Sequence, residues 1–206
     1  MEEWFNAVSH GLTGLVAIAG MIVLIVIAAR SSQQLALFSA LLYGISLVSM
    51  YSMSAIYHAV RNARIKRFFN IMDHISIFLL IAGTYTPVVL LSIGGTAGWV
   101  LFGLQWGLAL IGSILKVFFT GKFEVISLIL YAIMGWMIVF QPDLLVSRLD
   151  SGAFWLLLAG GITYTIGIVF YVIDSRLKLA HFIWHIFVIA GSLLHYLMMV
   201  LYVFQR

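Results

Sequence analysis

His181 and His185 stand four residues apart, a spacing that puts two imidazoles on one helix face about one turn apart. Two nitrogens so placed are how a helix chelates a transition metal, as on the helices of zinc peptidases. A third imidazole from another helix, most simply His58, would complete a three-nitrogen set. The fourth position would then be open to water, the arrangement of a catalytic zinc site. The chain has no cysteine, so any transition metal must be held by His, Asp or Glu. Ser54 precedes His58 by four residues and shares its face. Zinc lowers the pKa of a bound water to about 7. Asp73 beside such a water could accept its proton and deliver it to a leaving group. The alternatives are a structural pairing of Asp73 with Arg67 or a histidine, and histidines that serve only helix packing. Glu124, the other carboxylate expected near this depth, sits beside Lys122 and can pair with it.

The elements that position these groups follow from composition. Of the 206 residues, 64% are hydrophobic and only 9% charged, where a soluble chain is about a quarter charged. With a mean hydropathy of +1.13, the chain is a polytopic membrane protein. The +4 net charge does not signal nucleic acid, because the basic residues lie in short segments between apolar runs. A spanning helix needs roughly 20 mostly apolar residues. Charges and Gly or Pro clusters divide the chain into seven such runs, at about 11–29, 35–58, 74–92, 98–116, 125–140, 153–173 and 179–204. The expected fold is an all-α integral membrane protein, a single seven-helix transmembrane bundle over residues 1–206. Continuous apolar runs of this length argue against a barrel. Pro87 should kink the third span. Gly83, Gly103, Gly107, Gly160, Gly161, Gly167 and Gly191 read as sites of close helix packing, and Trp4, Trp99, Trp155 and Tyr202 as interfacial anchors.

Arg61, Arg64, Lys66, Arg67, Lys116, Lys122, Arg176 and Lys178 fall on one side of the bundle, and Arg30, Arg148 and Arg206 on the other. The imbalance predicts a cytoplasmic amino terminus and an outside carboxy terminus. On that topology His58 closes the second span at the cytoplasmic face, Asp73 and His74 open the third there, and His181 and His185 open the seventh. Residues more than 120 positions apart in the chain thus converge at one depth, where ionisable groups in a membrane protein usually pair or work. His74, turned about 100° from Asp73 on a helix, reads as a supporting or interfacial group. His10 reads as a capping or hydrogen-bonding residue. His195, about 15 Å beyond His185 along the helix, is too deep for the same metal and should hydrogen-bond within the bundle.

Four segments carry a resemblance: Glu3 to Gly14 (EWFNAVSHGLTG), Ser54 to His58 (SAIYH), Asp73 to Pro87 (DHISIFLLIAGTYTP) and His181 to His195 (HFIWHIFVIAGSLLH). In order and spacing they resemble the bacterial hemolysin III branch of the progestin and adipoQ receptor superfamily, over essentially the whole chain. The resemblance implies seven helices in a bacterial inner membrane and a zinc ion near the cytoplasmic face. It assigns the metal to His58, His181 and His185, with Ser54 and Asp73 in supporting roles around the bound water. The long soluble amino-terminal region of animal receptor members is absent, so a protein-hormone receptor role does not carry over. Three functions remain open. One is a zinc hydrolase of a lipid amide or ester bond, ceramidase-like, serving membrane lipid homeostasis, with a membrane lipid as substrate. The others are a pore-forming cytolysin, and a receptor or regulator of lipid state with a structural zinc.

Overall fold

Helices begin in this chain where charge and capping allow, well before the apolar runs do. The computed structural model describes residues 2–205, so Arg206, counted in the charge balance, lies outside the described residues. Helix α1 (Glu2–Arg30) starts nine residues ahead of the apolar run, with Glu2 and Glu3 in its first turn and Arg30 in its last. Those charges suit the two ends of the helix dipole. Helix α2 covers Ala36–Ala59. Helix α3 (Ala63–Pro87) begins eleven residues before the expected boundary at His74, because Asn62 caps it. The Asn62 side-chain oxygen accepts from the backbone N–H groups of Arg64 and Ile65 at 3.1 and 3.2 Å. Charge limits the membrane-embedded part of a helix, not the helix itself.

At Pro87 the expected kink takes another form. The segment Val88–Ile93 continues as π-helix, and Ala63–Ile93 remains one span. The missing proline N–H is absorbed by a wider turn. Gly94 and Gly95 then reverse the chain with φ of 67° and 57°, left-handed values that favour glycine, and α4 runs from Gly95 to Phe119. The sharp bend lies in the fifth run instead. Helix α5 (Glu124–Trp136) passes through a 3₁₀ turn, Met137–Phe140, into the short α6 (Pro142–Arg148), and the two parts are inclined by 64°. Tyr85 braces the break: its hydroxyl donates to the Gly135 carbonyl at 2.7 Å and accepts from the Ile138 N–H at 3.2 Å. Helix α7 (Ser151–Val172) and helix α8 (Ala180–Met198), the latter prolonged by a π segment Met199–Val203, complete the bundle.

Among the described residues there is no strand. Six helices among them are long and apolar enough to cross a bilayer, and the bent α5–α6 pair makes a seventh where it is counted as one span. Large apolar side chains cover the outside, among them Val16, Leu110, Phe118, Ile129 and Val169. The chain is an all-α integral membrane protein. Helix α1 packs between α2 and α8, α3 between α2 and α4, and α7 against α8. Close approach depends on some of the expected glycines and not on others. A Cβ on Gly83 would strike Ser46, on Gly160 His195, on Gly167 Trp184 and Phe187, and on Gly191 Tyr164. One on Gly103 or Gly107 would meet nothing within 4 Å, and Gly161 has only ordinary contacts with Trp136. Those three face away from close helix contacts. The Tyr202 ring packs over Gly152, in the first turn of α7.

Candidate metal centre

The last turn of α2 and the first turns of α8 meet at the end of the bundle that carries the amino terminus. Helix α2 stops where Val60 turns extended, two residues after His58. Helix α8 is launched by Leu179, a non-glycine residue with φ of 65°. Such a residue is held against its own preference, and here it directs the turn carrying His181. The centroids of the His58, His181 and His185 rings form a near-equilateral triangle with sides of 5.2, 5.1 and 5.0 Å. One nitrogen of each lies within 4.8 Å of the other two; tetrahedral ligands about 2.1 Å from a common ion stand about 3.4 Å apart, so the rings would draw together by small rotations to hold one. His58 and His185 are buried, and His181 is partly exposed.

The fit to a metal can be tested on the other ring nitrogens. His58 Nδ1 lies 2.7 Å from Glu3 Oε2, and His181 Nδ1 lies 3.2 Å from Asp174 Oδ2. His185 Nδ1 faces the Ser9 hydroxyl at 3.5 Å. The outer nitrogens thus have partners, whereas His58 Nε2 is buried with none. A neutral imidazole with one nitrogen held by a carboxylate and a bare lone pair on the other is the state in which histidine binds a metal. The donor set fits a divalent ion of zinc type.

Asp73 and Ser54 join the same end. Ser54 and Asp73 both line a cavity that His181 and His185 also border. Among the described residues no ion pair links Asp73 to Arg67 or to a histidine, so the structural pairing weighed as an alternative does not form. Glu124 pairs with Lys116 at 2.7 Å, not with Lys122. The reason is geometric: Lys116 is buried in the last turn of α4, where a carboxylate at the start of α5 can reach it. His74 Nδ1 binds the Asn70 carbonyl at 2.7 Å, and its Nε2 faces the Tyr171 hydroxyl at 3.5 Å and Glu124 at 3.7 Å. It is a supporting group, turned from the triad. His195 donates from Nε2 to the Leu157 carbonyl at 3.1 Å, away from the metal ligands as its spacing implies.

His10 departs from expectation. Its ring stacks on His185 with centroids 3.6 Å apart and planes 8° from parallel, and neither of its nitrogens has a hydrogen-bond partner. It is packing against a candidate ligand, not a cap. Glu3, Ser9 and Asp174 were not picked out by residue type or spacing. Their signal was weak: each flanks an apolar run within a few residues of an end that the topology already brings to the histidines. The cavity itself measures about 640 Å³. From Asp73, His181 and His185 it extends along an apolar wall that includes Leu80, Val88, Leu157 and Val188 to Leu145 and Phe154 near the far end.

The sequence profile described as Haemolysin-III related matches residues 1–196. "Hemolysin-3" of Bacillus cereus is 38% identical over 202 residues, covering 98% of this chain and 92% of that protein. The "Hemolysin-3 homolog" of Bacillus subtilis (strain 168) is 37% identical over 191 residues, 93% of this chain and 89% of that protein. The human "Monocyte to macrophage differentiation factor" is 29% identical over 164 residues, 77% of this chain and 67% of that protein. With the profile spanning nearly its whole length, this multi-pass membrane protein belongs to the haemolysin-III related family.

Proposed function

We propose that the protein is a zinc-dependent hydrolase of a lipid amide or ester bond, acting at the cytoplasmic face of a bacterial inner membrane and serving membrane lipid homeostasis. One observation carries this reading: a single cavity of about 640 Å³ borders His181, His185, Asp73 and Ser54 at one end and continues between mainly apolar walls, with Thr84, Tyr85, Tyr164 and His195 as polar groups among them. Its volume is that of a small-molecule site, and its polarity is that of an amphiphile with a polar headgroup and an apolar tail. His58, His181 and His185 would hold the metal. When bound, zinc supplies Lewis-acid polarisation of a carbonyl and acidifies water. The Asp73 carboxylate is the group able to take a proton from water and return it to the departing amine or alcohol. Ser54, which lines the cavity with Asp73, is placed to orient that carboxylate. The apolar wall holds the chain of the lipid and keeps bulk water out.

The test is Asp73→Asn, which keeps the shape of the side chain but cannot hold the proton. Turnover of a responsive lipid amide or ester should fall by about 10²–10⁴-fold, with the metal content of the wild type retained. Undiminished turnover removes Asp73 from the mechanism. Cytolysis is the second reading, favoured by the name "Hemolysin-3" carried by a relative. Against it stands the apolar outer surface, which leaves no polar face for a soluble stage before insertion. Dye release from liposomes by the purified protein, at protein-to-lipid ratios where a known cytolysin acts, would establish it. Metal bound tightly in a protein that neither hydrolyses lipid nor releases dye would favour a receptor or regulator.

A further inference from the structure

We propose that Glu3 and Asp174 are positioning residues for the metal, two carboxylates that set the tautomer of its histidines. The inference rests on the metal reading given above and goes beyond it in assigning the amino-terminal turn of α1 and the α7–α8 turn to the centre. A carboxylate only accepts. The histidine nitrogen facing it must therefore carry the proton, and the other nitrogen must offer its lone pair. At 2.7 Å, Glu3 Oε2 imposes this on His58, whose Nε2 is buried with no partner. At 3.2 Å, Asp174 Oδ2 imposes it on His181.

Glu3 is itself held in place. Its second oxygen accepts from Lys66 Nζ at 3.0 Å, and Lys66 lies over the Tyr57 ring at 4.9 Å. One carboxylate thereby links the first turn of α1, the last turn of α2 and the first turn of α3. A charge balance supports the same assignment. Three neutral imidazoles leave a divalent ion uncompensated in a partly buried site, and Asp174 supplies a negative charge one imidazole away, as does Glu3, which shares its charge with Lys66. Ser9, facing His185, completes the set without charge.

A purely structural tie between Glu3 and Lys66 would predict something else, and the experiment separates the two. Zinc affinity is measured by chelator competition on the detergent-purified full chain for wild type, Glu3→Gln, Asp174→Asn and Lys66→Met. The visible spectrum of the cobalt(II)-loaded forms reports ligand geometry. Loss of such a partner typically weakens a metal about 10–100-fold. We expect that loss in Glu3→Gln and again in Asp174→Asn, with an altered cobalt spectrum, a metal-free melting temperature near that of wild type, and Lys66→Met close to wild type in affinity. Glu3→Asp should recover part of the loss. Wild-type affinity in both carboxylate variants overturns the proposal, and so does an equal loss in Lys66→Met, which would make Glu3 a helix tie. Wild-type protein that binds no zinc overturns the metal reading itself, a different failure from the first two.

Discussion

Gly160→Ala tests how tightly α7 and α8 are packed behind the cavity. A Cβ on Gly160 would stand 2.2 Å from His195 Nε2 and 2.3 Å from its Cδ2, far inside contact distance. The ring has little room to yield: it is 8% exposed, donates to the Leu157 carbonyl at 3.1 Å and lies 5.5 Å from the Tyr164 ring. Forcing a methyl group into a filled core costs about 1–3 kcal/mol. Pulling His195 off Leu157 leaves a buried donor unpaired, about 1–3 kcal/mol more. Alanine recovers roughly 1 kcal/mol of helix propensity over glycine. The net expectation is a loss of about 3 kcal/mol. Denaturant unfolding in detergent measures it, and a double-mutant cycle with His195→Ala identifies its origin. Once the ring is gone the added methyl group falls into the vacated space, so Gly160→Ala should then cost less than about 1 kcal/mol. A Gly160→Ala protein of wild-type stability, or an equal cost with and without His195, would refute the packing argument.

Metal analysis of the purified protein should find about one zinc per chain, as a three-histidine site implies. That zinc should be absent from folded His58→Ala and from folded His181→Ala/His185→Ala; metal unaffected by these changes returns the histidines to helix packing. Tyr85→Phe should destabilise the protein by about 1–3 kcal/mol, because it leaves the buried Ile138 N–H without the hydroxyl it now donates to. Hydrogen exchange should then accelerate at Ile138 ahead of the rest of α5, and uniform exchange across that helix would show that the brace does not act locally.

The convergence of His58, Asp73, His181 and His185 was legible because two simple periodicities determine it. The i, i+4 spacing fixes a helix face, and the length of each apolar run fixes depth. What lay outside those rules was missed for identifiable reasons. The starts of α1 and α3 depend on Glu2, Glu3 and the Asn62 cap, which a hydropathy count treats only as the end of a span. The 3₁₀ turn Met137–Phe140 that precedes the break is braced by Tyr85, a residue of another helix. Glu124 was assigned to its sequence neighbour Lys122, but Lys116 is buried beside it, and burial is a tertiary property. The stacking of His10 on His185 joins residues at opposite ends of the chain, and no local pattern announces it.

The location of the polar groups along the bundle is itself an argument about what the cavity is for. Burying a histidine nitrogen without a partner costs about 1–3 kcal/mol, and His58 Nε2 is in that state. If the triad served only to join helices, apolar side chains of similar size would do so without that cost. The groups are moreover gathered at one end: Glu3, Ser54, His58, Glu124, Asp174, His181 and His185 lie at or near helix ends on a single side of the bundle, Asp73 and His74 join them from within α3, and α6 at the other end contributes apolar Leu145 to the same cavity. A channel for ions would need polar lining along its whole length. An amphiphile needs charged and strongly polar groups where its head meets its chain and a mainly apolar wall beyond, and the cavity has that order, with Thr84, Tyr85 and His195 as isolated polar groups along the wall. On the proposed hydrolase reading, bond position would be selected by depth, since a molecule whose tail fills the apolar length would present its head-to-chain linkage to Asp73 and the histidines.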